Sequence, residues 1–197
     1  MGRVVDTHRA RGSGFTLVEL LVVVGIIALL IGILLPTLNK ARTASRRVAC
    51  RAQLADIGRL FQMYLNDSKG RLPWINPTPS LQPPLDGKPA AEVLGTYTKG
   101  QNAGWRCPSD QITRLVSGTP GGFETYFERE GISYLYSPSL AMRWAGHQIN
   151  DHPIYRAKKQ NQLWIFHDFE PFHGPAGTNG SCNYLFADSH VGDLANE

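Results

Sequence analysis

The sequence predicts an α+β fold in which one long amino-terminal helix is followed by a head built on an antiparallel sheet. Three observations carry that expectation. Residues 15–35 form an apolar run with a single charge, Glu19; residues 38–64 place apolar side chains at helical spacing; and the last third of the chain holds aromatic and β-branched segments separated by Gly and Pro. Helical and strand periodicities thus occupy different parts of the chain, which is the α+β pattern.

The apolar run comes first. From Phe15 to Leu35 its 21 residues would make a helix of about 31 Å, enough to cross a hydrocarbon core of ~30 Å. A secretory signal peptide is the rival, but its apolar region is usually ~7–15 residues and ends in a small-residue cleavage site, whereas this run ends in Leu34-Leu35-Pro36. Pro36 lacks an amide hydrogen and clashes with the preceding turn, so it is expected to kink or loosen the helix.

Beyond Pro36 the helix is expected to resume over residues 36–68. Leu38, Ala41, Ser45, Val48, Ala52 and Ala55, then Leu54, Ile57, Phe61 and Tyr64, follow spacings of three and four, an amphipathic stripe that core packing would bury. Lys40, Arg42, Arg46, Arg47, Arg51 and Arg59 lie largely off it.

Residues 69–197 form the predicted head. Six prolines between Leu72 and Pro89 argue against helix or central strand there, so an extended surface connection is expected over 72–89. Residues 90–98 suggest a short helix, and "RCPSD" at 106–110 a strand end or turn. Strands are predicted in "ISYLYS" (132–137), "QLWIFHDF" (162–169) and "NYLFAD" (183–188), with "YLFADSHVGDL" forming a hairpin that turns at Asp188-Ser189.

Charge narrows the function classes. The chain's net +4 arises from +2 over residues 1–14, +4 over residues 15–70 and −2 over residues 71–197. The folded part is therefore not the basic surface that gripping nucleic acid requires.

Glu19 is the anomaly, because an acid inside a membrane costs ~2.5 kcal/mol or more unless it is protonated or paired. One reading keeps it near a hydrated interface; the other gives it a partner on another chain. Here the residues resemble a family. "GFTLVELLVVVGIIALL", after a short basic leader, is similar to the class III signal of type IV prepilins and of the pseudopilins of type II secretion systems. The resemblance implies a pilin-like fold, a leader (1–14) cleaved after Gly14 by a prepilin peptidase, and N-methylation at Phe15. It further implies that Glu19 attracts the amino-terminal charge of a neighbouring subunit, and that Pro36 is the family's helix-bending proline. Arginines flank the run on both sides, so orientation comes from the resemblance: amino terminus inside, head in the periplasm, a single pass through the inner membrane, or exposure at the cell surface as a filament. The head resembles, more weakly, a bacterial subgroup with a Cys-Pro-Ser-Asp turn and a terminal Ala-Asp-Gly-His-Val hairpin. Ser189 departs from that Gly and would cost roughly 1 kcal/mol if the turn needs positive φ.

In an exported, oxidised head, three cysteines permit one disulfide and leave one thiol. Cys107 and Cys182 are the expected pair because each borders a predicted sheet segment; two separate structural cysteines are the alternative. Cys50 shares a helical face with Leu54, Ile57 and Phe61 and reads as a small buried hydrophobe. His167, Asp168, Glu170 and His173 in "HDFEPFH", with Asp188 and His190 later, are weak candidates for zinc or another divalent ion, and the resemblance to pseudopilins, some of which bind calcium, adds Asp188 and Asp193 as carboxylates for that ion. No two-ligand helical spacing supports them, so the expectation is a polar edge and no cofactor. Ser181, His190 and Asp188 form no hydrolytic motif, and no P-loop or dinucleotide fingerprint occurs, so an enzyme is not expected.

The expected function is thus structural: a subunit of a type II secretion pseudopilus or a type IV pilus, assembled by helix packing. Its expected partners are prepilin peptidase, other pilin or pseudopilin subunits, an inner-membrane assembly platform and the lipid bilayer. The alternative is a membrane-anchored periplasmic module that binds a ligand or metal without entering a filament.

Overall fold

The computed structural model describes residues 16–80, 86–98, 104–112 and 122–193. The leader, Gly14 and Phe15 lie outside the described residues. The chain divides into two units, Met1–Arg42 and Thr43–Glu197.

Helix α1 spans Leu17–Asp67 with Pro36 inside it. Proline deprives the Gly32 carbonyl of its donor, yet the helix continues through Pro36; the Thr37 hydroxyl adds a local bond to the Leu34 carbonyl at 2.8 Å. In the first unit α1 is apolar all round and its side chains are exposed, from Leu17 at 78% to Val23 at 44%. It is long and apolar enough to cross a membrane, with a mean hydropathy of 3.1 over its most apolar window.

In the second unit α1 buries Cys50, Leu54, Ile57, Gly58, Phe61 and Leu65, a single face at helical spacing. This shortens the predicted stripe. Leu38 and Val48 are 61% and 68% exposed, and Ala41, Ser45 and Ala52 are exposed as well. Periodicity identifies a face but carries no information on how far along the helix a partner extends.

The partner is a four-stranded antiparallel sheet in the order β3 (Tyr134–Tyr136), β4 (Trp164–Asp168), β5 (Tyr184–Phe186), β6 (Val191–Gly192). Each of the predicted strand segments contains one of these strands. Opposite residues Tyr134 and Asp168, Tyr136 and Phe166, and Phe166 and Leu185 pair in register and share the face turned to α1. A bulge between Trp164 and Phe166 lets Ile165 and Phe166 both be buried. Phe61 meets Phe166 edge-on at 6.3 Å, and Tyr136 packs 5.1 Å from Phe166. At Gly58 an added Cβ would lie 2.8 Å from Leu185 Cδ1. Glycine costs ~1 kcal/mol in a helix interior relative to alanine, and here it admits close approach of the sheet.

Short helices α2 (Ala90–Gly95), α3 (Tyr126–Glu130) and α4 (Pro153–Arg156) complete the head. The proline-rich segment departs from expectation. Leu72 and Ile75 are buried, and β1 (Ile75–Asn76) pairs in parallel with β2 (Lys88–Pro89). Proline is tolerated because the ladder is two residues long and Pro89 ends it, where no amide hydrogen is required. Gly87 adopts φ +108°, and a Cβ there would meet Trp74 O and Asn76 N at 2.9 Å.

The terminal hairpin turns where predicted. Ser189 has φ 73°, its amide donates to the Phe186 carbonyl at 2.9 Å, and the Phe186 amide donates to the His190 carbonyl at 3.0 Å. A long amino-terminal helix whose later part packs on an antiparallel sheet is the α+β arrangement of a pilin-like fold.

Candidate functional site

Two places concentrate unusual chemistry. The first is the start of α1. The Thr16 amide and hydroxyl donate to Glu19 Oε2 at 2.8 and 2.7 Å, while the Glu19 amide donates to Thr16 Oγ1 at 3.2 Å. This is a capping box, which satisfies amides that a helix start leaves without partners. Its signature, T-x-x-E before an apolar run, is legible in "TLVE" at residues 16–19, and the interpretation of Glu19 as an intermolecular acid alone passes over it. A carboxylate at the first turn is also favoured by the helix dipole. Glu19 therefore begins with partners on its own chain. Both bonds use Oε2, and a carboxylate has about four lone-pair sites.

The second place is in the head, where the predicted disulfide is corrected. Cys107 is bonded to Cys50, not Cys182, with Cα atoms 4.9 Å apart. Cys182 is a free, half-buried thiol. The reason is topological. The Cys107 amide donates to Ser133 Oγ at 2.9 Å, which ties that turn beside β3, whereas Cys182 leads into β5 with β4 between them. Two strand spacings are ~9.6 Å, beyond the ~7 Å that a disulfide bridges. Cys50 is buried, as its helical face implied, but on the side where the Cys107 turn lies. Cys182 borders a cavity of about 390 Å³ with Pro171, Thr178, Ser181, Tyr184 and Asp193. Burial, reinforced by Asp168, Asp193 and Glu170, pushes its thiol up to about 12, so it is a poor nucleophile at neutral pH.

The "CPSD" turn is held by its acid. Asp110 accepts hydrogen bonds from the amides of Tyr126 (3.0 Å) and Phe127 (2.8 Å) at the start of α3, and from Ser133 Oγ at 2.6 Å. Burial raises its carboxyl above the usual carboxylate range, against those hydrogen bonds and Arg106. One aspartate thus joins the Cys107 turn, α3 and the approach to β3.

The metal candidates divide into three places. Asp168 and His173 come together, with His173 Nε2 3.4 Å from Asp168 Oδ2 and both side chains fully buried. His167 falls on the opposite face of β4, stacked on Tyr184 at 5.1 Å, its Nδ1 2.5 Å from the Asp168 carbonyl. Burial lowers its basicity. Asp188 and His190 stay in the hairpin turn, where His190 Nδ1 is 2.5 Å from Asp188 Oδ1 and the imidazole stacks on Phe186 at 4.3 Å. Ser181 borders the Cys182 cavity, apart from the Asp188–His190 turn pair. Among the described residues, His173 does converge on the Cys50–Cys107 disulfide, the three side chains' N and S atoms lying within 4.8 Å of one another.

Comparison with known families decides the first place. Residues 9–35 match the family model described as the prokaryotic N-terminal methylation motif. The chain carries a prepilin-type methylation motif. No curated protein and no solved structure matches the chain significantly. The motif takes in Thr16, Glu19 and the exposed apolar part of α1, and it ends one residue before Pro36. It gives chemical meaning to an acid and an apolar surface that the head does not use. The Asp110 turn and the Cys50–Cys107–His173 group lie outside the motif.

Proposed function

We propose that the chain is a pilin-like structural subunit, processed as a prepilin and built into a type II secretion pseudopilus or a type IV pilus. The observation that carries this reading is the methylation motif at residues 9–35, within which the apolar side chains of α1 from Leu17 to Leu35 are exposed. Such a surface needs lipid or other apolar helices around it. In this reading, residues 15–35 store the subunit in the inner membrane with the head in the periplasm. Prepilin peptidase cleaves after Gly14, and Phe15 becomes the methylated terminus.

Cleavage creates an ammonium beside an acid. A neighbour's ammonium ~4 Å from Glu19 gains about 4 kcal/mol at an effective dielectric constant of ~20, while an unpaired charge in lipid is penalised. The capping box orients the carboxylate, whose remaining lone pairs take the incoming charge. The role is mechanical, and energy for assembly comes from another protein at the inner-membrane platform.

Peptide mass spectrometry of the mature amino terminus tests the reading. The expected result is N-methyl-Phe15 as the first residue. An intact leader on chains from cells with a working prepilin peptidase would overturn it.

A further inference from the structure

Past its apolar run, α1 turns cationic. Between Glu19 and Asp56 the chain carries Lys40, Arg42, Arg46, Arg47 and Arg51 and no carboxylate. Two of these serve the head: Arg51 Nη2 donates to the Val191 carbonyl at 2.6 Å, and the Arg47 guanidinium lies against Gly180, where an added Cβ would strike it. The others do not. Lys40, Arg42 and Arg46 stay exposed, and among the described residues none of them joins an ion pair. Asp56, the first acid beyond them, is already paired with Arg59.

We propose that Lys40, Arg42 and Arg46 bind the phosphates of anionic lipid headgroups in the leaflet on the head side of the membrane. The inference rests on the reading above that residues 15–35 span a bilayer. Counted from Leu17, about 20 helical residues use up a ~30 Å hydrocarbon core, which puts the boundary close to Pro36. Lys40 and Arg42 then stand roughly 6–9 Å beyond it, at the height of a headgroup layer about 5–8 Å deep. Arg46 follows one turn after Arg42. In a helix the Cα–Cβ bonds tilt toward the amino terminus, here toward the bilayer, so these long side chains reach back to the phosphates.

The chemistry selects the lipid. A guanidinium presents a planar fork of donors to two phosphate oxygens and sheds its water more readily than an ammonium, and each Lys or Arg held near an anionic leaflet adds to the attraction. A zwitterionic headgroup offers the same phosphate with its own ammonium beside it, so preference for net-negative lipid is the signature. Carboxylates of a neighbouring subunit are the other source of negative charge. The height of the cations favours lipid, because the headgroup layer surrounds the stored subunit before any neighbour arrives. The contact fixes how far the helix stands out of the bilayer.

The test reconstitutes the full chain into phosphatidylcholine vesicles containing spin-labelled phosphatidylglycerol or spin-labelled phosphatidylcholine, and electron spin resonance gives the share of each label held at the protein. At low salt the phosphatidylglycerol label should associate at least about fivefold more strongly, and the preference should shrink as added salt screens the charges. The triple variant Lys40→Gln, Arg42→Gln, Arg46→Gln should bring the two labels level while the head's thermal transition stays in place. Arg59→Gln, about 20 Å further along α1 than Arg46, should keep the preference. Equal association of both labels with the unsubstituted chain overturns the proposal, and this comparison decides the matter if a variant fails to fold. A preference that survives the triple substitution overturns it as well. Loss of the triple variant from filaments, with no lipid preference in the unsubstituted chain, would assign the cations to a neighbouring subunit instead. Insertion without selectivity overturns the lipid assignment alone, whereas a chain that enters neither vesicle overturns the membrane reading and this assignment with it.

Discussion

Helix α1 has two parts that solve the same problem differently. From Leu17 to Leu35 its apolar residues point in every direction and are exposed. From Cys50 to Leu65 they occupy one face and are buried by the chain's own sheet. The first part carries a single charge, Glu19, whereas the second sets Arg51, Asp56 and Arg59 between its apolar residues, so the apolar surface is all round in one and a stripe in the other. A stripe can be satisfied by one sheet, whereas an all-round apolar helix needs apolar surroundings on every side. The first part is therefore unfinished as a monomer in water, and the second is finished.

The largest effect that would break this contrast is at the bridge tying α1 to the head. The Cys50–Cys107 disulfide spans 57 residues, a loop for which constraint of the unfolded chain contributes about 4 kcal/mol. Cys107→Ser should lower the oxidised head's stability by about that amount in denaturant titration, and Cys182→Ser should change it little. Equal losses at both positions would contradict the pairing.

Next is the close approach at Gly58. Gly58→Val drives a branched side chain into Leu185 and should cost roughly 2 kcal/mol by overpacking. At Gly25 an added Cβ meets nothing within 4 Å, so Gly25→Val should leave the head's thermal transition where it is. A shift at both sites would erase the distinction between the two parts.

The hairpin gives a smaller gain. Ser189 holds φ 73°, a conformation that costs a side-chain-bearing residue about 1 kcal/mol relative to glycine. Ser189→Gly should stabilise the head by about that amount in thermal melts.

The smallest effect is with pH. Burial lowers the pKa of His167, and of His152, below the ordinary 6.5, so above that pH both folded and unfolded forms are neutral and stability is complete. As pH falls below 6.5 the unfolded chain takes up protons first, and stability is lost until the folded pKa is passed. His167→Phe, which keeps an aromatic ring beside Tyr184, should flatten the melting temperature between pH 7 and pH 5, leaving the share due to His152.

Much of this was legible in the residues because the signals are local. Spacings of three and four gave α1 its buried face at Leu54, Ile57 and Phe61, and aromatic and β-branched runs marked β3, β4 and β5; the strained turn at Ser189 was flagged by the family resemblance, whose pattern has Gly there. What was not legible is non-local. That Cys107 lies beside Cys50 depends on the Ser133 and Asp110 hydrogen bonds that dock its turn next to β3. That Asp168 meets His173 while His167 does not follows from strand alternation combined with a loop return, which residue spacing does not encode. The inward turn of Leu72 and Ile75 likewise reflects a partner strand at Lys88–Pro89, on the far side of a proline cluster that reads locally as surface.

The most direct measurement concerns Glu19. Glu19→Gln keeps the side-chain length and can still accept from the Thr16 amide, but it has no charge to offer a neighbouring terminus. In cells expressing the variant, sheared filaments and membrane fractions are to be quantified against the unsubstituted chain. The expected result is normal membrane insertion and normal processing at Phe15, with subunit largely lost from filaments. Undiminished incorporation of Glu19→Gln would contradict assembly through a charge pair.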